Sequence, residues 1–189
     1  MIELVAIDPG GRKKKCSAAV FQDSRLVAVF ERLTIDQAWD TNIVVVERPQ
    51  QDGRSRAVPP AILMDLAWQA ALLVGAFVAL GARAIELAPN DWKAGTRADG
   101  KHVSGLPKAI HHANMIDSGA ITADELNTIW RGEPIHREVF EARRKGALSR
   151  WAPHANGYYA AKSRTPDVFD AIGIGLYHLG RTDKDGKRK

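Results

Sequence analysis

Residues 2–8 (IELVAID) form a short apolar run rich in branched side chains, and they end in Asp-Pro-Gly. Length and composition predict a β-strand. Residues 17–21 and 26–32 repeat that character on either side of the turn-forming stretch 22–24. Together the three runs predict an antiparallel meander. Residues 42–46 (NIVVV) are continuously apolar, as central parallel strands are, and they run directly into Glu47. Between the meander and this fourth strand, residues 34–39 suit a helical turn. The stretch 48–57 is polar, with Pro, Gly, two Gln and two Arg beyond Arg48, and reads as a loop.

Pro59 and Pro60 suit the first turn of a long helix reaching about Leu80, where Gly81 fits the C-terminal cap. Residues 61–82 approach the length of a membrane span. Asp65, Gln69 and the surrounding α/β pattern predict a buried helix instead. Residues 83–87 predict a fifth strand. Residues 89–107 read as a loop, and 108–117 as a helix. From 121 to about 150 the pattern is amphipathic and charged, predicting one or two helices broken near 132–134. Residues 152–164 read as a loop. Thr165 as N-cap and Pro166 at the first helical position then open a last helix, which runs to about Leu179. No internal repeat or low-complexity segment interrupts this order.

Composition narrows the class. The chain has 189 residues, 45% hydrophobic and 26% charged, which suits one soluble domain with a sizeable core. Residues 181–189 (RTDKDGKRK) lack apolar side chains and are expected to fray. Lys and Arg number 27 against 22 acids, giving a net charge of +5, a balance that favours polyanionic partners. Arg12, Lys13, Lys14 and Lys15 are consecutive, and Arg54 and Arg56 flank Ser55. Both groups lie close in sequence to the acids considered next. Cys16 is the sole cysteine, which excludes an internal disulfide and suits a reducing compartment. The N-terminal residues meet an acid too early for a secretory leader. The expectation is a cytoplasmic protein.

Four acids fall at predicted element ends. Asp8 closes the first strand and Glu47 the fourth, while Asp167 and Asp170 open the last helix. The i, i+3 spacing puts the latter two on one helix face. Strands one and four would be sheet neighbours in such a topology, placing Asp8 and Glu47 side by side. Each acid alone has a structural reading. Asp8 suits a turn, Glu47 could pair with Arg48 or Arg54, Asp167 suits a helix N-terminus, and Asp170 could be a surface acid. Clustered carboxylates need a balancing cation, and hard oxygen ligands suit Mg2+ or Mn2+ rather than zinc. Two such ions about 3.5–4 Å apart support phosphodiester hydrolysis.

The segments Ile7-Asp8-Pro9-Gly10, Val46-Glu47 and Pro166-Asp167-Val168-Phe169-Asp170-Ala171 resemble the RuvC-type Holliday-junction resolvases of the ribonuclease H-like superfamily, as does the Gln69-containing helix with Gly75. The resemblance spans roughly residues 1–93 and 165–180. It implies a ribonuclease H-like α/β fold: a mixed five-stranded sheet, three antiparallel strands then two parallel, flanked by helices. It also implies Asp8, Glu47, Asp167 and Asp170 as ligands of two Mg2+ ions, with Mn2+ as a substitute, and a functional Lys at Lys93. The activity implied is symmetric cutting of four-way DNA junctions by a homodimer. Phosphate contacts are expected from Arg12, Lys13, Lys14, Lys15, Arg54, Arg56, Lys93, Lys101 and Lys108. The domain would span 1–180, with an insertion near 117–164 that is longer than in cellular resolvases. The text Glu47-Arg48-Pro49-Gln50 looks more like phage relatives.

Other residues carry weaker signals. His111 and His112 are adjacent and face different directions on a helix, so with His102 they make a poor metal site. His136, His154 and His178 suit surface or core. Trp151, Tyr158 and Tyr159 could stack on unpaired bases, although packing is their commoner role. Three other functions stay open: an actin-like ATP-binding domain, a non-catalytic junction binder, and a same-fold nuclease acting on flaps, forks or RNA–DNA hybrids.

Overall fold

The side chains of a strand alternate between the two faces of its sheet, and here both faces are apolar. In β1 (Ile2–Asp8), Leu4 and Ala6 join one core cluster while Val5 and Ile7 join another. In the computed structural model, which describes residues 2–9, 16–49, 59–93, 95–96, 102–103, 108–130 and 165–189, these clusters lie on opposite sides of one sheet. Its other strands are β2 (Cys16–Gln22), β3 (Arg25–Leu33), β4 (Thr41–Glu47) and β5 (Arg83–Leu87).

The strand order is β3-β2-β1-β4-β5. β1 pairs antiparallel with β2, and β2 with β3, while β1–β4 and β4–β5 are parallel. The protein is thus α/β, with a mixed five-stranded sheet, as the hydrophobic pattern predicts. The β2–β3 hairpin turns through Asp23 and Ser24, at φ 49° and 61°. Two successive positive φ values match the right-handed twist of a hairpin.

Helix α1 (Pro60–Ala79) packs on the side of Val5, Ile7, Val44 and Val46, through Ala70, Leu73 and Phe77. Gly81 follows at φ 103°, a conformation that favours glycine. The long apolar helix predicted to be buried is buried on one face only: Met64, Trp68, Leu72 and Val78 are exposed. It is long and apolar enough to cross a membrane, yet Gln69 and its neighbours pack against the sheet.

The other side of the sheet holds α2 (Pro89–Trp92), α3 (Lys108–Asp117), α4 (Ala123–Trp130) and α5 (Thr165–His178). α5 crosses β1 and β2 and buries Val168, Phe169, Ala171, Ile172, Ile174 and Leu176. Thr165, predicted as its cap, is its first helical residue, a one-residue difference. The stretch 89–107, predicted as loop, instead contains α2 and the ribbon β6 (Gly95–Thr96) with β7 (His102–Val103). Most of the predicted insertion, like Trp151, Tyr158 and Tyr159, lies outside the described residues; its described part, residues 117–130, includes α4, which packs against β3.

Residues 181–189 do not fray as composition suggests. Thr182 is fully buried and bridges to Arg188. The Asp183 carboxylate accepts from the Asp185 and Lys187 amides, at 2.9 and 2.8 Å. Asn114 of α3 donates to the Asp185 carbonyl at 2.7 Å. Polar capture holds this segment where apolar burial cannot.

Candidate metal centre

Parity along the strands decides which side chains meet. Asp8 follows Leu4 and Ala6 on the α5 side of β1, and Glu47 follows Ile43 and Val45 on the same side of β4. The neighbouring Ile7 and Val46 are paired in register. Asp8 and Glu47 therefore sit together at the C-terminal ends of two central parallel strands. The first turns of α5 pass over this sheet end and bring Asp167 and Asp170.

Oxygens of Asp8, Asp167 and Asp170 lie within 4.8 Å of one another. Asp8 and Asp170 are buried, at 7% and 1% exposure. Octahedral Mg2+ with ligands at about 2.1 Å would place their oxygens roughly 3–4.2 Å apart. Separations within 4.8 Å are compatible with that geometry, and the donors are the hard oxygens that Mg2+ and Mn2+ prefer. The cluster therefore fits such an ion.

Glu47 was expected as a fourth ligand, but it stands outside this group. Its Oε2 accepts a 2.7 Å hydrogen bond from the Trp92 indole and lies 3.3 Å from Lys93 Nζ. Lys93 is 3.6 Å from Asp170 Oδ1 as well, so its ammonium links the strand acid to the helix acid. The Lys93 ammonium sits 4.0 Å from the Trp92 ring centroid, close enough for cation–π attraction.

Two residues have roles at this site that the sequence does not assign them. Trp92 is fully buried and orients both Glu47 and Lys93. Gly173 makes room for it, because a Cβ there would come within 2.7 Å of the indole. His112 Nε2 lies 2.9 Å from Asp170 Oδ1, both side chains being 1% exposed. Its available signal was position, since His112, Met115 and Ile116 share the i, i+3, i+4 face of α3. A His on such a face needs a polar partner, which Asp170 supplies. His111 is also buried and packs edge-on against Trp92. Burial lowers its pKa to about 4, against a smaller opposing pull from Asp170.

Among the described residues, the group able to hold a metal consists of aspartates alone. Of the expected phosphate contacts, Lys93 is at the site. Arg12, Lys13, Lys14, Lys15, Arg54, Arg56 and Lys101 lie outside the described residues; Lys108 opens α3, and its side chain lies outside them too. No protein-family model matches the chain, and no curated protein is similar to it.

Proposed function

We propose that this protein is a Mg2+-dependent, structure-selective endodeoxyribonuclease of the ribonuclease H-like fold that resolves four-way DNA junctions. The observation carrying this reading is the convergence of Asp8, Asp167 and Asp170 at the end of β1, beside Glu47 and Lys93. The strand order supports the fold reading, and the net charge of +5 supports a polyanionic substrate. The three aspartates would hold the metal, with Glu47 joining them once its bond to Lys93 opens. Magnesium bound there would lower the pKa of an attacking water and neutralise charge on the phosphodiester. Lys93 would place positive charge beside the scissile phosphate, and His112 holds Asp170 in one orientation. The cations at 12–15, at 54 and 56, and at 101 and 108 would track the DNA backbone.

The protein would act as a homodimer in the cytoplasm. The exposed apolar face of α1, with Met64, Trp68 and Leu72, supports self-association, because soluble monomers rarely expose such a patch. The test offers the purified protein a synthetic four-way junction, a flap, a fork and plain duplex, each with Mg2+ and with EDTA. Paired nicks in the junction alone, lost with EDTA, are expected. Cleavage of flaps or forks instead would keep the site and change the substrate. Binding without cleavage in any metal would make the protein a recognition module, and ATP binding without DNA affinity would remove the nuclease reading.

A further inference from the structure

Glu47 and Asp170 come from different elements, and carboxylates held close together repel unless a cation lies between them. The structure supplies that cation from within the chain. α2 is a single turn in which the Asp91 carboxylate accepts from the Ala88 amide at 2.8 Å. The turn closes with the Lys93 amide donating to the Pro89 carbonyl at 2.9 Å. This fixes the backbone from which Trp92 and Lys93 project. The indole ring then forms a floor under the Lys93 ammonium, and its N–H holds Glu47. The ammonium is left between Glu47, at 3.3 Å, and Asp170, at 3.6 Å, on a side chain only 13% exposed.

These are two of the carboxylates that a divalent ion would use. We propose that Lys93 is the resident counter-cation of this carboxylate site, steadied by Trp92, and that a divalent metal binds by displacing its ammonium. This deepens the metal-dependent reading above and rests on it. The physical case is competition. One ammonium and one divalent ion cannot both sit between the same oxygens, so each weakens the other's hold. Lys93 thereby keeps the metal-free acids together, at a cost in metal affinity.

The test is a Mn2+ titration of the full chain by calorimetry, without DNA. Lys93→Gln removes the charge, and its Mn2+ dissociation constant is expected to fall by about tenfold. Lys93→Arg keeps the charge and is expected to stay near wild type, which separates electrostatics from packing. Unchanged or weaker Mn2+ binding in a folded Lys93→Gln protein would overturn the proposal while leaving the metal site intact. A wild-type protein that takes up no Mn2+ or Mg2+ would remove the metal-dependent reading, and this inference with it. Should Lys93→Gln not fold, amine labelling of the wild type decides. Acylation at Lys93, read by mass spectrometry, is expected to rise several-fold when Mg2+ is added. Unchanged or reduced labelling would overturn the displacement.

Discussion

Two buried acidic centres lie on the same side of the sheet, and their electrostatics are opposite in design. Glu125 accepts from the Leu26 and Thr122 amides, both at 2.8 Å, and from the Thr122 hydroxyl at 2.9 Å. The Arg181 guanidinium adds a two-pronged pair, at 2.6 and 2.8 Å. One acid has one cation and a full set of donors. At the other centre Lys93 is shared between Glu47 and Asp170, with Asp8 and Asp167 beside them. A centre built for stability gives each charge its own partner. At the other, on the proposal above, Lys93 is shared by two acids and would give way to a divalent ion.

The sharpest way to break this contrast is Asp8→Asn. It removes a proposed ligand and one of several mutually repelling charges. Cleavage is expected to fall on the order of 10³-fold or more, with junction binding retained and the melting temperature at or above wild type. A variant that turns over normally would end the metal-site assignment. One that melts much earlier would place Asp8 with the structural acids, beside Glu125.

Glu125→Ala should show the reverse. It strands the Leu26 amide and leaves the Arg181 guanidinium only the Ser24 and Ala120 carbonyls. The cost should therefore lie toward the lower end of the range for breaking a buried pair from one side, about 3 kcal/mol. Denaturant unfolding should register that loss, while cleavage per folded molecule stays near wild type. If activity falls as far as stability, the two centres are not independent.

Acid should separate them further. Burial alone would raise the Glu125 pKa, but the bonds from Arg181, Leu26 and Thr122 outweigh it and hold the carboxyl near 2. A depressed carboxylate contributes its full stability above its unfolded value, 4.5 here, and loses it as pH falls toward 2. His111 is likewise depressed, from 6.5 to about 4, because burial favours the neutral ring. Unfolding takes up that proton, so its contribution is full above pH 6.5 and fades toward pH 4. Unfolding free energy measured against pH should therefore fall in two steps. Glu125→Gln should remove the lower step and spare the upper one.

How legible each centre was in the sequence follows from how far apart its parts lie. The apolar run in each of residues 2–8 and 42–46 is a local signal. It predicts both strands, and the topology they suggest puts Asp8 and Glu47 side by side. The i, i+3 spacing of Asp167 and Asp170 is local as well. Trp92 supports Glu47 across 45 positions with nothing local to announce it, and His112 meets Asp170 across 58, where the apolar face it shares on α3 calls for a polar partner without saying which. Arg181 reaches Glu125 across 56 positions, so a tail without apolar residues read as loose although it is anchored. The burial of α1 was overestimated because its composition is apolar on every face, whereas the sheet covers only one.

The smallest expected effect tests whether the metal centre leans on its packing. Gly173 lies three residues after Asp170 on α5, and a Cβ there would stand 2.7 Å from the indole of Trp92 and 3.2 Å from the His111 ring. Gly173→Ala gains up to about 1 kcal/mol of helix propensity. Overpacking costs about 1–3 kcal/mol, so the net loss of stability should be near 1 kcal/mol. The fully buried indole must shift to admit the methyl group, and its hydrogen bond holds Glu47. Cleavage should therefore fall several-fold, more than the modest drop in folded fraction explains, which is the opposite of the pattern for Glu125→Ala. A stability loss with full activity would show that Glu47 finds its position without Trp92.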